Sequence, residues 1–141
     1  MKKIATLTCL RSNMVCARAS CLKAYNERTD FFAGYGPDTQ LAAAMTCNGC
    51  EAEQPLHPRE DKGIQEKISR LKKEAVSAVH VGVCRVTRDG TECPRITEIC
   101  EMLEEAGITV IRGTHKERTP AAAKPEPKRQ QIFSRLPLSF F

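Results

Sequence analysis

Four apolar runs divide this chain, and each stops at a side chain suited to soft metals: Lys3–Thr8 closes on Cys9, Leu41–Thr46 on Cys47, Val76–Val83 on Cys84 and Ile108–Thr114 on His115. The runs end 31 to 38 residues apart. A strand, its crossover helix and the next strand take about 30 residues or more, so the spacing predicts repeated β-α-β units. Parallel strands joined this way are covered on both faces, which is why a run as unbroken as AVHVGV is expected. The expected fold class is α/β, a small three-layer sandwich with a four-stranded, mainly parallel sheet and crossover helices. We expect the flavodoxin-like strand order 2-1-3-4.

Between the runs lie three segments of helical period. Leu22, Tyr25, Thr29 and Phe32 recur before Gly34; Ile64, Ile68, Leu71 and Ala75 follow Pro58; Ile96, Ile99, Cys100 and Leu103 lie between Pro94 and Gly107. Proline is tolerated in the first turn of a helix and glycine stops one, so the last two segments carry their own punctuation. LAAAMT is the least strand-like run, because alanine favours helix and no β-branched residue precedes Thr46. Its assignment rests on spacing.

The domain is expected over residues 1–115, and 116–141 reads as a basic, Pro/Ala-rich disordered tail. With 41% hydrophobic residues in 141, the chain can bury a core, and no run approaches the roughly 20 apolar residues of a membrane span. MKKIATLTCLR imitates a signal peptide, but its apolar stretch ends at Arg11 and no small-residue cleavage site follows. A cytoplasmic location is expected. The net charge of +5 comes mostly from the tail, since residues 1–115 hold 16 basic against 15 acidic side chains. A nucleic-acid platform would show a basic stripe with interleaved aromatics, and only 5% of the chain is aromatic. Neither nucleic acid nor a membrane is an expected partner.

Eight cysteines in a reduced compartment point to metal binding or catalysis rather than to disulfides. Cys47-Asn48-Gly49-Cys50 is a C-x-x-C in which Gly49 allows the turn that brings two sulfurs to one point. Cys9 and Cys84 follow apolar runs, so on neighbouring strands about 4.8 Å apart their thiols can converge. Cys93-Pro94 stands at the start of the third helix, the positive end of its dipole. Ligands of open α/β sheets bind at the carboxyl ends of the strands, which places these groups and His115 on one side. Cys16 and Cys21, around the first helix's start, can reach the same edge. Cys100, on the apolar face of the third helix, reads as core, His80 as a satisfied core residue and His57 as solvated.

The order Cys9, Cys16, Cys21-Leu22-Lys23-Ala24, Phe32, Tyr35, Thr46-Cys47-Asn48-Gly49-Cys50, Cys84, Cys93-Pro94, Gly113-Thr114-His115 resembles the CGGC domain family over residues 1–115. The resemblance implies a cysteine-rich domain taken to bind metal, zinc above all, with no assigned biochemical role. This chain departs from the pattern at Asn48, where the family has its first glycine, and at Glu51-Ala52, where proline and glycine are common. Asparagine also tolerates left-handed backbone, so the turn can survive.

Cys9, Cys16, Cys21, Cys47, Cys50, Cys84 and Cys93 all lack an arginine six positions on, which excludes the low-molecular-weight phosphatase loop. There is also no G-x-x-x-x-G-K and no G-x-G-x-x-G. The leading expectation is a zinc protein whose ligands come from Cys9, Cys47, Cys50 and Cys84, with Cys93 and His115 as alternates or as ligands of a second ion. One alternative is a thiol redox or metalloid-handling enzyme using Cys47 and Cys50, with Cys9 or Cys84 as resolving thiol. Another is an iron–sulfur protein.

Overall fold

The computed structural model describes residues 2–50 and 55–116. The expected tail therefore lies outside the described residues save for Lys116, as do Glu51 and Ala52. Within them β1 (Lys3–Thr8), α1 (Ala19–Glu27), β2 (Gln40–Thr46), α2 (Lys62–Lys73), β3 (Ala78–Val81), α3 (Pro94–Glu105) and β4 (Thr109–Arg112) follow in turn. The strands form one sheet in the order β2-β1-β3-β4, and every pair is parallel. This is the order and class expected of the sequence.

Strand alternation splits the core into two layers. Ala5, Leu7, Val79 and Val81 face α2 and α3, where Ile64, Ile68, Leu71, Ile96, Ile99 and Leu103 complete the larger cluster. Ile4 and Ala78 face the other way, against Ala24 of α1 and Phe32. Helices on both faces leave the strands' carboxyl ends as the open edge.

The alanine-rich run is a strand, and it holds the sheet's edge, where one face and one side need no bulky packing. A bulge between Ile4 and Ala5 leaves Ala42 opposite the gap in register. Asp61 caps α2 by accepting a hydrogen bond from the Gly63 amide at 2.8 Å, and Pro94 opens α3.

Three expectations needed correcting. The first helical segment does not run to Phe32: α1 stops at Glu27, because Arg28 turns left-handed at φ 55°, and Phe32 arrives in a separate 3₁₀ turn, Asp30–Phe32. The third strand is shorter than Val76–Val83, and Cys84 sits in a 3₁₀ turn, Val83–Arg85, instead of ending the strand directly. The fourth is likewise trimmed from Ile108–Thr114 to Thr109–Arg112. Among the described residues no helix is long and apolar enough to cross a membrane.

His80 is fully buried in β3. Its Nδ1 lies 2.8 Å from the Gly113 carbonyl oxygen, which can only accept, so Nδ1 carries the proton. Nε2 of the neutral ring is then free to accept from the Tyr35 hydroxyl at 2.7 Å. Burial lowers the pKa of His80 below its usual value, against a smaller opposing effect of the Gly113 bond.

Candidate functional site

The chain reverses at the carboxyl edge of β1, β2 and β3, and thiols from four segments meet there. Cys9 follows β1, Cys50 ends the turn after β2, Cys84 lies just beyond β3 and Cys93 caps α3. All four line one cleft of about 620 Å³. A smaller cleft of about 260 Å³, lined by Cys50, Cys93, Pro94 and Arg95, adjoins it through the two shared cysteines. The parallel register Thr8↔Thr46 sets Cys47 beside Cys9, and Cys47 is buried behind the cleft wall with its Sγ accepting from the Leu10 amide at 3.5 Å.

Backbone donors hold these sulfurs. The Cys9 amide donates to Cys84 Sγ at 3.2 Å. That approach depends on Gly82, where an added Cβ would lie 3.2 Å from Cys84 Sγ and 3.4 Å from Thr8 Cγ2. None of the eight cysteines is joined in a disulfide.

The thiols differ in acidity. Burial acts to raise Cys9, yet hydrogen bonds from the Ser12 backbone and hydroxyl, the Arg11 backbone and the Cys47 side chain outweigh it and hold Cys9 below the ordinary thiol value. Burial raises Cys47 and Cys84, and the nearby Cys9 adds to both. Cys100, buried in α3 away from the cleft, is pushed up to about 11 by burial. Metal-free, reduced protein should therefore alkylate first at Cys9 near neutral pH, with Cys47 and Cys100 slow. Peptide mapping after brief iodoacetamide treatment checks this, and labelling of Cys47 ahead of Cys9 counts against it.

Asn48 supports the C-x-x-C turn. Asn48 and Gly49 are both left-handed, at φ 65° and 107°. The Asn48 amide nitrogen donates to Asp61 Oδ2 at 3.2 Å, while its oxygen accepts from Lys67 Nζ. Lys67 also donates to the Thr46 carbonyl at 3.3 Å and hydroxyl at 3.2 Å. Asn48 is thus bolted to both the start and the body of α2. Lys67→Met keeps the stem but removes three bonds, and should lower stability by about 1–3 kcal/mol in a urea titration. Unchanged stability would show the bolt to be idle.

Three further thiols lie outside the cleft lining. Cys16 is exposed, its Sγ accepting from the Arg18 amide at 3.3 Å. Cys21 is buried in the first turn of α1 and bonds the Thr114 hydroxyl at 3.1 Å. Both are near enough to Cys84 to act on its charge. Cys100 packs in the core, as expected. His115 does not join the thiols: it lines a different cleft, with Ser20, Glu27 and Asp30 among its walls, and its Nδ1 donates to the Lys116 carbonyl at 3.1 Å.

Sequence reasoning missed Arg11, Ser12, Thr87 and Arg88, which line the thiol cleft, and it missed Lys67. Arg11 and Ser12 could have been found, because they follow Cys9 directly and any turn after β1 carries them to the same edge. Lys67 and Arg88 left no comparable signal.

The donor kind, sulfur from separate segments at one edge, is the kind that thiophilic ions take. As placed, no three His, Cys, Asp or Glu side chains among the described residues are already closed around one point.

Fold and site together define an α/β domain that gathers cysteines at the carboxyl edge of a parallel sheet. The chain belongs to the CGGC domain family, whose sequence model matches residues 3–115. No curated protein and no solved structure matches it.

Proposed function

We propose that this protein binds a thiophilic metal ion, zinc by preference, at the edge thiols Cys9, Cys47, Cys50 and Cys84, with Cys93 as a fifth sulfur at the rim. The observation that supports this most is the convergence of cysteines from four chain segments on one cleft, while Cys47 touches Cys9 from behind. Zinc is favoured because it takes thiolates in a tetrahedron with no redox chemistry of its own, at about 2.3 Å. Bound there, the ion would tie the turns after β1, β2 and β3 together. His115 is not part of this centre.

Elemental analysis of protein purified under reducing, metal-replete conditions tests the reading, beside a free-thiol count on the same sample. About one equivalent of zinc, with four thiols protected until chelator is added, is the expected result. A visible charge-transfer spectrum in protein prepared without oxygen would replace zinc by an iron–sulfur cluster.

One observation favours a second reading, thiol redox chemistry. The low Cys9 thiol in contact with Cys47 is an attacking and resolving pair, different from the Cys47 and Cys50 pair suggested by the motif. Metal-free protein that turns over in a thiol-exchange assay, and loses turnover in Cys9→Ser, would favour it over the first.

A further inference from the structure

We propose that the thiol cleft is a binding site for a low-molecular-weight thiol carrying carboxylates, with Arg11 and Arg88 taking the carboxylates and the cleft cysteines facing the sulfur. The sulfur half rests on the thiol-centre reading above; the carboxylate half does not.

The arginines carry the argument. Arg59, Arg70, Arg85 and Arg112 are paired with glutamates, and Arg18, Arg28 and Arg95 donate to amide or carbonyl oxygens. Among the described arginines only Arg11 and Arg88 have side chains that make no hydrogen bond or ion pair, and both line the thiol cleft. Two unengaged guanidiniums at one concave site, in a domain whose other arginines are all engaged, mark a place where an anion is missing its partner.

The cleft walls agree. Among the described residues no carboxylate lines it. Asp89, next to Arg88 in sequence, is turned to its own loop, accepting from the Thr91 hydroxyl at 2.6 Å and the Thr91 amide at 3.0 Å. Ser12 and Thr87 add hydroxyls to the lining. A volume of about 620 Å³ falls among clefts that hold small organic molecules, roughly 300–1,000 Å³. A lone inorganic oxyanion would leave most of it empty. Thiols at the same site select a ligand that brings a soft atom along with its charge.

The test is titration calorimetry on the full, reduced chain with three probes: reduced glutathione, S-methylglutathione and inorganic phosphate. Zinc content is measured on each sample. Glutathione is expected to bind saturably, and Arg11→Gln/Arg88→Gln to weaken it by about tenfold or more. Arg11→Lys/Arg88→Lys should restore part of the affinity, and rising salt should weaken binding to the wild type. S-methylglutathione should bind less well than glutathione yet keep the arginine dependence, and phosphate should not compete at equal concentration. Thermal melts of the variants confirm that they fold.

The proposal is overturned if the double glutamine variant binds glutathione like the wild type, or if no saturable binding occurs up to about 10 mM. It is also overturned if phosphate matches glutathione, which would make the arginines a general oxyanion site. Zinc-free protein that still binds both peptides through the arginines would overturn the metal reading and uphold the carboxylate half.

Discussion

Cys47→Ser should bring bound zinc well below one equivalent and lower the melting temperature by about 10 °C or more. Removing one thiolate from a four-sulfur centre removes a bond and a charge together, and Cys47 is the buried member, touching Cys9 and accepting from Leu10. A ligand that binds only the folded state stabilises by about 4 kcal/mol at a thousand times its dissociation constant. In a domain of this size each kcal/mol moves the midpoint by roughly 3–5 °C. Chelation of wild-type protein should produce a similar drop, because structural zinc binding is coupled to folding. Cys100→Ser is the control: it places a hydroxyl in an apolar core and costs stability, but it should keep its zinc. Metal content measured beside the melts separates the two. Equal loss of zinc from Cys100→Ser and Cys47→Ser, or no stoichiometric metal in the wild type, would sink the centre.

The fold was legible in the sequence because its strongest signals are long-range regularities. Strand ends at a near-constant interval, with helices between them, leave a parallel sheet as the simple solution, and right-handed crossovers then limit the strand order. That is why even LAAAMT, which local propensity would make helical, was placed correctly. Local detail was less legible. Nothing in Asn26-Glu27-Arg28 announces that Arg28 will turn left-handed and end α1, since helical period continues through Thr29 to Phe32. Similarly, Val83 and Cys84 read as strand because they are apolar, while Gly82 lets the chain leave the sheet before them.

The meeting of thiols at one edge was legible. Cys9, Cys47, Cys50, Cys84 and Cys93 were gathered by one rule, that the carboxyl ends of parallel strands face the same way. The same rule grouped His115 with them, but β4 is the outer strand on the far side of β3 from β1, and a residue leaving it arrives beside α1. Side-chain engagement was beyond reach. Whether an arginine is paired or unpaired depends on distant partners such as Glu92, 20 residues from Arg112, and no local pattern records that.

Phe32→Ala should cost about 3–5 kcal/mol and, by uncovering His80, make the remaining stability fall less steeply in acid. Phe32 lies in the layer between α1 and the sheet and is the largest fully buried side chain among the described residues. Its ring centroid lies 4.4 Å from that of His80, 5.7 Å from that of Tyr25 and 6.3 Å from that of Tyr35. Truncation leaves a cavity over His80 that the rigid sheet cannot close. In the wild type, burial depresses the folded-state pKa of His80, so the unfolded chain binds the proton more readily. His80 therefore contributes stability that is present above about pH 6.5, its unfolded value, and is lost as pH falls from there through the folded value. Urea titrations at pH 7.5 and pH 5.5 on wild type, Phe32→Ala and a His80→Phe variant measure both effects. The wild type should lose stability between the two values, and His80→Phe should lose less. A Phe32→Ala cost below about 1.5 kcal/mol would mean that α1 and its following turn collapse onto the sheet without strain, and equal pH dependence in wild type and His80→Phe would assign the acid sensitivity to other groups.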